Sequence, residues 1–222
     1  SLNGLNRLRA MGHKVVLNTG RALGYVPKEI AELPLWDGKI CGSTYVEYKG
    51  ELLEHHPLSK AVLEQVVRWG EQKKVCVILE GERESFSGGG VLPSAREMLK
   101  RRELPAITKV TFCCEPALVE QKDFPQLRVV HFKSYAEGIL SGFDKSVGMK
   151  KIMELEGLKR EDLWAFGDSE NDRDMLLFAG NAVCMPGAPA DFDHFVRYRC
   201  KKEDGVPEAL EKFFFAEQGL PE

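Results

Sequence analysis

The sequence predicts an α/β fold, with a doubly wound, mostly parallel sheet and a smaller α+β unit inserted into it. Two observations lead to this prediction. Short apolar runs typical of buried strands alternate with helix-period patterns near both ends of the chain. Between them, residues 59–132 alternate helix and strand and carry few residues suited to chemistry. We therefore expect a core domain formed by residues 1–51 and 134–222, and a cap domain formed by residues 52–133.

Each element of the first part follows from a local pattern. Leucines at helical spacing over residues 2–11 indicate a helix, which a glycine ends. Residues 14–18 form a short buried-strand pattern, and residues 26–32 predict a helix. Residues 39–48 indicate a strand that is broken by a glycine.

The inserted unit and the last part are predicted in the same way. Pro57 and Ser59 open a helix whose apolar face continues to Trp69. Further strands are expected at residues 75–79, 107–113, 127–132, 163–166, 182–185 and 196–198. Further helices are expected at residues 93–102, 116–122, 147–155, 175–179 and 207–215.

Size and composition agree with one core plus an insertion. The chain has 222 residues, a formal net charge of −3, and 43% hydrophobic and 29% charged residues, as soluble globular proteins do. At about 150 residues per domain, this length corresponds to roughly one and a half domains. The pI near 6.0 argues against a nucleic-acid binder. No stretch approaches the roughly 18 apolar residues of a membrane span, and residues 2–11 are too polar for a signal peptide.

The cysteines predict a reduced, cytoplasmic protein. The chain has six of them and no C-x-x-C pair, which argues against a zinc ribbon or a thioredoxin motif. Cys76, Cys113 and Cys184 fall in apolar strand-like runs, where a free thiol behaves as a small hydrophobic side chain.

The strongest chemical signal is residues 167–172 (GDSEND), which directly follow a predicted buried strand. Ligands of open α/β sheets bind at this end of the strands. The carboxylate and amide oxygens of the run can supply a site for Mg²⁺, which needs only one or two carboxylates. Asp168, the first acid after the strand, is the best ligand candidate. Taken alone, the run fits a helix N-cap equally well.

Two further signals suit a phosphate group. Residues 18–21 (NTGR) also follow a strand, and their hydroxyl, glycine and backbone N–H groups can bind phosphate oxygens, although an ordinary turn explains them too. Lys145 precedes a helix and can neutralise phosphate charge, although a lone lysine is more often simply solvated. Its surroundings do not match a nucleotide P-loop, because Phe143 and Asp144 stand where that motif requires other residues.

The order of hydroxyl, lysine and carboxylates along the chain resembles the haloacid dehalogenase (HAD) superfamily of phosphohydrolases. The most similar branch is the Cof-like sugar-phosphate phosphatases with a type II α/β cap. Residues 15–21 (VVLNTGR) resemble the second motif of the family, Lys145 the third, and residues 167–175 (GDSENDRDM) the fourth. The resemblance covers nearly all of the chain, and the expected cap falls where this family inserts its own.

The resemblance implies a phosphate-binding role for four residues. Thr19 and the backbone N–H of Gly20 would bind the transferring phosphoryl group. Lys145 would hold the phosphate and the nucleophile in register, and Asn171 would contact the phosphate or a metal-bound water. Such groups fit phosphoryl transfer, in which catalysis is mainly positioning and charge neutralisation.

The resemblance also implies Mg²⁺ as the cofactor. Asp168 would bind the metal directly, and Asp172 would orient the catalytic lysine. Two departures from the family pattern stand out. The family's Asp-x-Asp motif, which holds the nucleophile and the general acid/base, is absent upstream of Thr19, and residues 41–43 are Cys-Gly-Ser where the branch often has Asn-Gly-Ala.

The function implied by the resemblance is magnesium-dependent hydrolysis of small phosphorylated metabolites, mainly sugar phosphates, through an aspartyl-phosphate. Because the 222 residues lack the nucleophile, we expect this polypeptide to be inactive. Two alternatives stay open: a non-catalytic pseudophosphatase that binds phosphate or a phosphosugar, and a phosphomutase similar to phosphomannomutases. The expected partner is a small phosphorylated metabolite, not a nucleic acid or a membrane.

The missing motif carries a structural prediction as well. In the family, the strand before it lies centrally in the parallel sheet and is buried on both faces. Without that strand, its neighbours would expose unpaired backbone. The sequence therefore predicts a slot in the core sheet, either open or filled by another segment.

Overall fold

The structure, a computed structural model, describes residues 2–89 and 92–216. In this part of the chain the strands form three sheets. The strands are β1 (Val16–Thr19), β2 (Gly38–Cys41), β3 (Tyr45–Tyr48), β4 (Glu51–His55), β5 (Cys76–Gly81), β6 (Ser85–Ser87), β7 (Ile107–Cys113), β8 (Leu127–His131), β9 (Ala136–Leu140), β10 (Trp164–Gly167), β11 (Asn181–Cys184) and β12 (Tyr198–Arg199). The helices are α1 (Leu2–Ala10), α2 (Lys28–Ala31), α3 (Lys60–Lys73), α4 (Ala95–Leu99), α5 (Lys145–Glu156), α6 (Arg173–Phe178) and α7 (Gly205–Leu210). None of these helices is both long and apolar enough to cross a membrane.

The core consists of two sheets. One has the order β1-β2-β3-β4, with β1 and β2 parallel and the remaining pairs antiparallel. The other has the order β10-β11-β12 and is parallel throughout. Helices α5 and α6 pack beside them, with Ile40, Met149 and Leu176 in a shared apolar cluster. The predicted α/β class with a mostly parallel core is confirmed.

The two core sheets are not hydrogen-bonded to each other in the described part of the chain. β1 is an edge of the first sheet, and β10 is an edge of the second. All four residues of β1 are half-buried, as are Trp164 and Phe166 of β10, whereas β11 is buried throughout. An edge strand lacks the cover of a neighbour on its outer side, so both strands are more exposed than their apolar sequences predict. This separation agrees with the predicted slot.

The cap sheet, meaning β5 to β9, is antiparallel with the order β6-β5-β7-β9-β8. Helices α3 and α4 cover one of its faces, where Trp69, Phe112 and Phe124 meet with ring centroids 5.1 to 5.6 Å apart. Strand β9 lies beyond residue 133, so the cap sheet includes residues that the predicted boundary assigns to the core.

Capping residues mark the ends of the two longest helices, α3 and α5. The Ser59 hydroxyl accepts a hydrogen bond from the Val62 N–H at the start of α3, and the Asp144 carboxylate accepts one from the Ser146 N–H at the start of α5. Gly157 ends α5 with a φ of 62°. Gly148 lets α5 approach the sheet, because a Cβ there would lie 2.8 Å from a Val46 methyl group.

One predicted helix is absent. Residues 116–122 instead form two single 3₁₀ turns, Pro116–Leu118 and Gln121–Asp123. Between them, Val119 is extended and fully buried. Packing this side chain into the cap core outweighs the weak helix propensity of such a short segment.

Candidate active site

The ends of two strands from different sheets open on one cavity. Thr19 is the last residue of β1, and Asp168 directly follows β10. Both line a cavity of about 1090 Å³ together with Gly20, Lys145 and Asn171. The opposite wall is formed by the cap sheet and its loops. The cavity therefore lies between core and cap, at the carboxyl ends of parallel strands, where α/β folds bind ligands.

A buried ion pair forms the back of this cavity. Lys145 Nζ lies 2.6 Å from Asp172 Oδ1, and the two side chains are only 8% and 5% exposed. Asp172 Oδ2 accepts hydrogen bonds from the backbone N–H groups of Asp168 (2.9 Å) and Ser169 (3.1 Å). Burial would raise the pKa of Asp172, but the charge and hydrogen bond of Lys145 lower it overall, helped by these N–H groups. Asp172 therefore holds both the lysine and the loop after β10.

Among the acidic residues of the loop that follows β10, Asp168 is the one that lines the cavity, and its side chain is exposed. Partial desolvation, followed by the neighbouring charge of Asp172, raises its pKa above the ordinary value. No group of three or more histidine, cysteine or acidic side chains converges anywhere in residues 2–89 and 92–216. A single carboxylate still fits Mg²⁺, which keeps water or substrate oxygens as its other ligands.

Gly20 lies close to the side chains of both Asn171 and Lys145. A Cβ on Gly20 would lie 2.7 Å from Asn171 Nδ2 and 3.7 Å from Lys145 Cε. The Ser169 hydroxyl donates to Asn171 Oδ1 (2.8 Å), which leaves the Asn171 amide N–H groups toward Gly20. The site thus brings together an amide donor, an ammonium group and the partly exposed backbone of Gly20, a combination that suits an anionic oxygen.

The structure brings together the three signals that are separate in the sequence. Thr19, Gly20, Lys145, Asn171 and Asp168 all line the same cavity, and Asp172 lies directly behind the lysine. Asn18 connects two of the signals, since its Nδ2 donates to the backbone carbonyl of Lys145 at 2.8 Å. The catalytic, phosphate-binding and metal roles of these residues remain predictions.

Cys113 does not pack as the small hydrophobic side chain that its apolar strand-like run predicts. Cys113 is exposed and lines the cavity, because it is the last residue of β7, on the cavity side of the cap sheet. Partial desolvation, followed by the neighbouring Cys76, raises the pKa of Cys113 to about 11. Such a thiol is protonated near neutral pH and is a poor nucleophile. None of the six cysteines forms a disulfide.

Sequence reasoning missed the polar residues of the cap wall. Glu80, Lys109 and Glu137 line the cavity from three neighbouring strands. The signal available in the sequence is the alternation of polar and apolar residues in strand 107–113, which places Lys109 and Thr111 on one face.

Comparisons with known proteins agree with this geometry. The chain matches the profile of the family described as haloacid dehalogenase-like hydrolase over residues 1–110 and 121–210. An 81-residue stretch is 42% identical to 5-amino-6-(5-phospho-D-ribitylamino)uracil phosphatase YitU of Bacillus subtilis, covering 35% of this chain and 30% of that protein. An 84-residue stretch is 33% identical to a phosphoglycolate phosphatase of Methanosarcina acetivorans, covering 37% of this chain and 34% of that protein.

A similar fold is found among solved structures. The HAD subclass IIB sugar phosphatase BT4131 superposes with a TM-score of 0.82 at 22% identity, covering 96% of this chain and 90% of the other. At 22% identity, this structural similarity establishes that the two proteins share a fold and nothing further. The matched stretch spans less than a third of YitU. The activities named here are therefore those of the relatives and are not assigned to this chain.

Proposed function

Because the chain belongs to the haloacid dehalogenase-like hydrolases, we propose that its cavity binds the phosphate group of a small phosphorylated metabolite together with Mg²⁺. The observation that carries the proposal is the buried Lys145–Asp172 pair facing the same cavity as Thr19, Gly20 and Asp168. An ammonium group held by a buried carboxylate and aimed at a cavity neutralises an anionic ligand.

In this proposal each residue has one task. Lys145 and the amide of Asn171 hold phosphate oxygens, while Thr19 and the N–H of Gly20 bind the oxygens nearest β1. Asp168 holds Mg²⁺, which supplies further neutralisation of phosphate charge when bound. Asp172 keeps Lys145 in place without contacting the ligand.

The reaction that fits such a site is hydrolysis of a phosphate monoester through an aspartyl-phosphate, the chemistry of the family it resembles. Sugar phosphates are the expected substrates, and a cytoplasmic location stays part of the proposal. The nucleophile would come from an Asp-x-Asp motif, and the 222 residues hold none upstream of Thr19. We therefore expect the 222-residue polypeptide to bind phosphate without turnover.

Isothermal titration calorimetry with inorganic phosphate tests the binding site. The polypeptide should bind phosphate more tightly with Mg²⁺ than with a chelator, and Asp168→Asn should remove this difference. Thr19→Val should weaken binding by about tenfold, because one hydrogen bond to a charged group is lost. Asp193→Asn is the matched control, since Asp193 is exposed, pairs with Arg199 and does not line the cavity. Equal phosphate affinity in Asp168→Asn and the unmodified protein, with and without Mg²⁺, would contradict the metal site.

Turnover is tested separately with p-nitrophenyl phosphate. Magnesium-dependent hydrolysis by the 222-residue polypeptide, lost on Asp168→Ala, would overturn the expected inactivity. The in-frame DNA upstream of residue 1 distinguishes a hydrolase from a non-catalytic pseudophosphatase. A hydrophobic strand followed by Asp-x-Asp indicates a hydrolase, whereas a stop codon indicates a phosphate-binding pseudophosphatase. Product analysis with hexose phosphates separates a phosphomutase from a hydrolase.

A further inference from the structure

Two cysteines from neighbouring strands lie side by side on one face of the cap sheet. Cys76 is the first residue of β5 and stands directly opposite Cys113, the last residue of β7, in the antiparallel register of these strands. Cys113 lines the cavity, as do Ile78 and Glu80, the residues that follow Cys76 at intervals of two. Side chains two residues apart point to the same face of a sheet. Cys76 and Cys113 therefore share the cavity-facing side of the cap sheet.

The strand register brings the two thiols close enough for a disulfide. Residues directly opposite each other on antiparallel strands have Cα atoms about 4.5–5.5 Å apart, and disulfides join residues whose Cα atoms are about 4.4–6.8 Å apart. The two side chains also interact directly. After partial desolvation, the charge of Cys76 and a hydrogen bond between the two side chains are the main causes that raise the pKa of Cys113. A bond between the sulfur atoms can therefore form without shifting either strand.

Both thiols of the pair are accessible to a small molecule. Cys113 is exposed and Cys76 is half-buried. Three of the other four cysteines are buried, and these are Cys41, Cys184 and Cys200. A small oxidant can thus reach the pair in the folded protein, whereas it cannot reach these three thiols.

Packing does not account for the pair. A free cysteine usually acts as a small hydrophobic side chain in a core, but the cap core lies on the opposite face of the sheet, with Val77 and Phe112. The remaining cysteine, Cys114, does pack against that core. Cys76 and Cys113 instead face the cavity as two adjacent, reachable thiols, and such pairs are the usual sites of reversible thiol oxidation.

We propose that Cys76 and Cys113 are a site of redox modification, which a low-molecular-weight disulfide such as glutathione disulfide converts to a reversible protein disulfide. Because the raised pKa of Cys113 makes it the slower thiol, Cys76 reacts first. Its thiolate attacks one sulfur of the oxidant, forms a mixed disulfide and releases one glutathione. The Cys113 thiolate then attacks the sulfur of Cys76, forms the protein disulfide and releases the second glutathione.

The exchange is balanced and reversible. Two electrons pass from the protein sulfurs to the oxidant, and the two protons lost by the protein thiols are regained by the two released glutathione molecules. Excess thiol drives the same steps backwards. The reduced Cys76 thiol donates to the backbone carbonyl of Gly89 at 3.1 Å, so oxidation also removes this hydrogen bond from the segment after β6. None of these steps requires the proposed phosphate site, and the inference is independent of it.

Peptide mapping of the oxidised protein tests the inference. The folded 222-residue polypeptide is incubated with glutathione disulfide in mildly alkaline buffer, where more of the Cys113 thiol is ionised, and is then alkylated and mapped by mass spectrometry without reduction. We expect two of the six thiols to disappear, with the peptides that hold Cys76 and Cys113 linked and the link removed by dithiothreitol. The linked form should exceed the mixed disulfide by at least about tenfold, because the second thiol is held beside the first.

Three variants assign the link to this pair. Cys113→Ser should leave Cys76 as a mixed disulfide with glutathione, and Cys76→Ser should abolish the linked peptides. Cys114→Ser is the matched control, because Cys114 adjoins Cys113 in the sequence but packs against the cap core, and it should leave the link unchanged. If a serine variant folds poorly, the peptide map of the unmodified protein still gives a decisive result.

Several results would overturn the inference. These are retention of all six thiols in the folded protein, mixed disulfides without a link, a link through Cys114, or a link that forms only in urea, where the strand register is lost. Phosphate binding by the reduced protein is measured separately by calorimetry. Its failure would overturn the proposed function and leave the disulfide inference standing.

Discussion

Replacing Lys145 by methionine should destabilise the protein by about 3 kcal/mol. The substitution leaves the Asp172 carboxylate, 5% exposed, without the cation that lies 2.6 Å away. Removing one partner of a buried ion pair costs about 3–5 kcal/mol. Asp172 keeps its hydrogen bonds from the loop after β10, so we expect the lower end of this range. For a chain of this size, 3 kcal/mol corresponds to a fall of about 6–12 °C in Tm.

Urea titration and calorimetry measure this change, and a double-mutant cycle shows its origin. Asp172→Asn alone should also be destabilising, but Lys145→Met/Asp172→Asn should be more stable than the sum of the single changes by about 1 kcal/mol or more. The control is Lys100→Met. Lys100 also lies 2.6 Å from its partner, Glu97, but both side chains are more than 60% exposed. Its removal should change stability by less than about 1 kcal/mol. Equal effects of Lys145→Met and Lys100→Met, or additive effects in the cycle, would refute the argument from burial.

Two further predictions follow from close packing. Gly20→Ala should weaken phosphate binding by about tenfold or more in calorimetry, with little loss of stability. The reason is that the new Cβ would displace the flexible end of Asn171, which lies 2.7 Å away. Unchanged affinity would show that this contact is not part of the site. Phe112→Ala should lower the free energy of unfolding by about 3–5 kcal/mol, because the ring is fully buried against two other aromatic rings. Phe132→Ala, at a half-buried ring on the cavity wall, should cost clearly less in the same urea titration, and equal losses would contradict this account of the cap core.

Local chemistry explains which parts of the fold were predictable. Helix α3 begins after Ser59, and strand β7 spans the predicted residues 107–113, because capping and alternation act over a few neighbouring residues. The segment 116–122 was not predictable in this way. Its conformation depends on burying Val119 against residues distant in the sequence.

In the candidate site too, local sequence identifies individual residues, whereas the contacts between them depend on the fold. The sequence marks Thr19, Lys145 and Asp168 because each residue stands beside the end of a predicted strand or the start of a predicted helix. Residue type and spacing do not show that Lys145 and Asp172, 27 residues apart, form a buried pair, and only the family resemblance implied that Asp172 orients the lysine. Nor can the sequence show that Lys109 meets Glu80 and Glu137, because these contacts depend on the strand register of the cap sheet.

The sequence by itself determined the α/β class, and it predicted an inserted cap and the residues suited to phosphate and Mg²⁺. Those properties depend on residue type, periodicity and order along the chain. Only the tertiary structure decided that β1 and β10 are separate edge strands, that the three motif signals share one cavity, and that a charged network faces them across it. These properties depend on which distant strands pair and which side chains lose their contact with water, and neither is encoded in any short stretch of sequence.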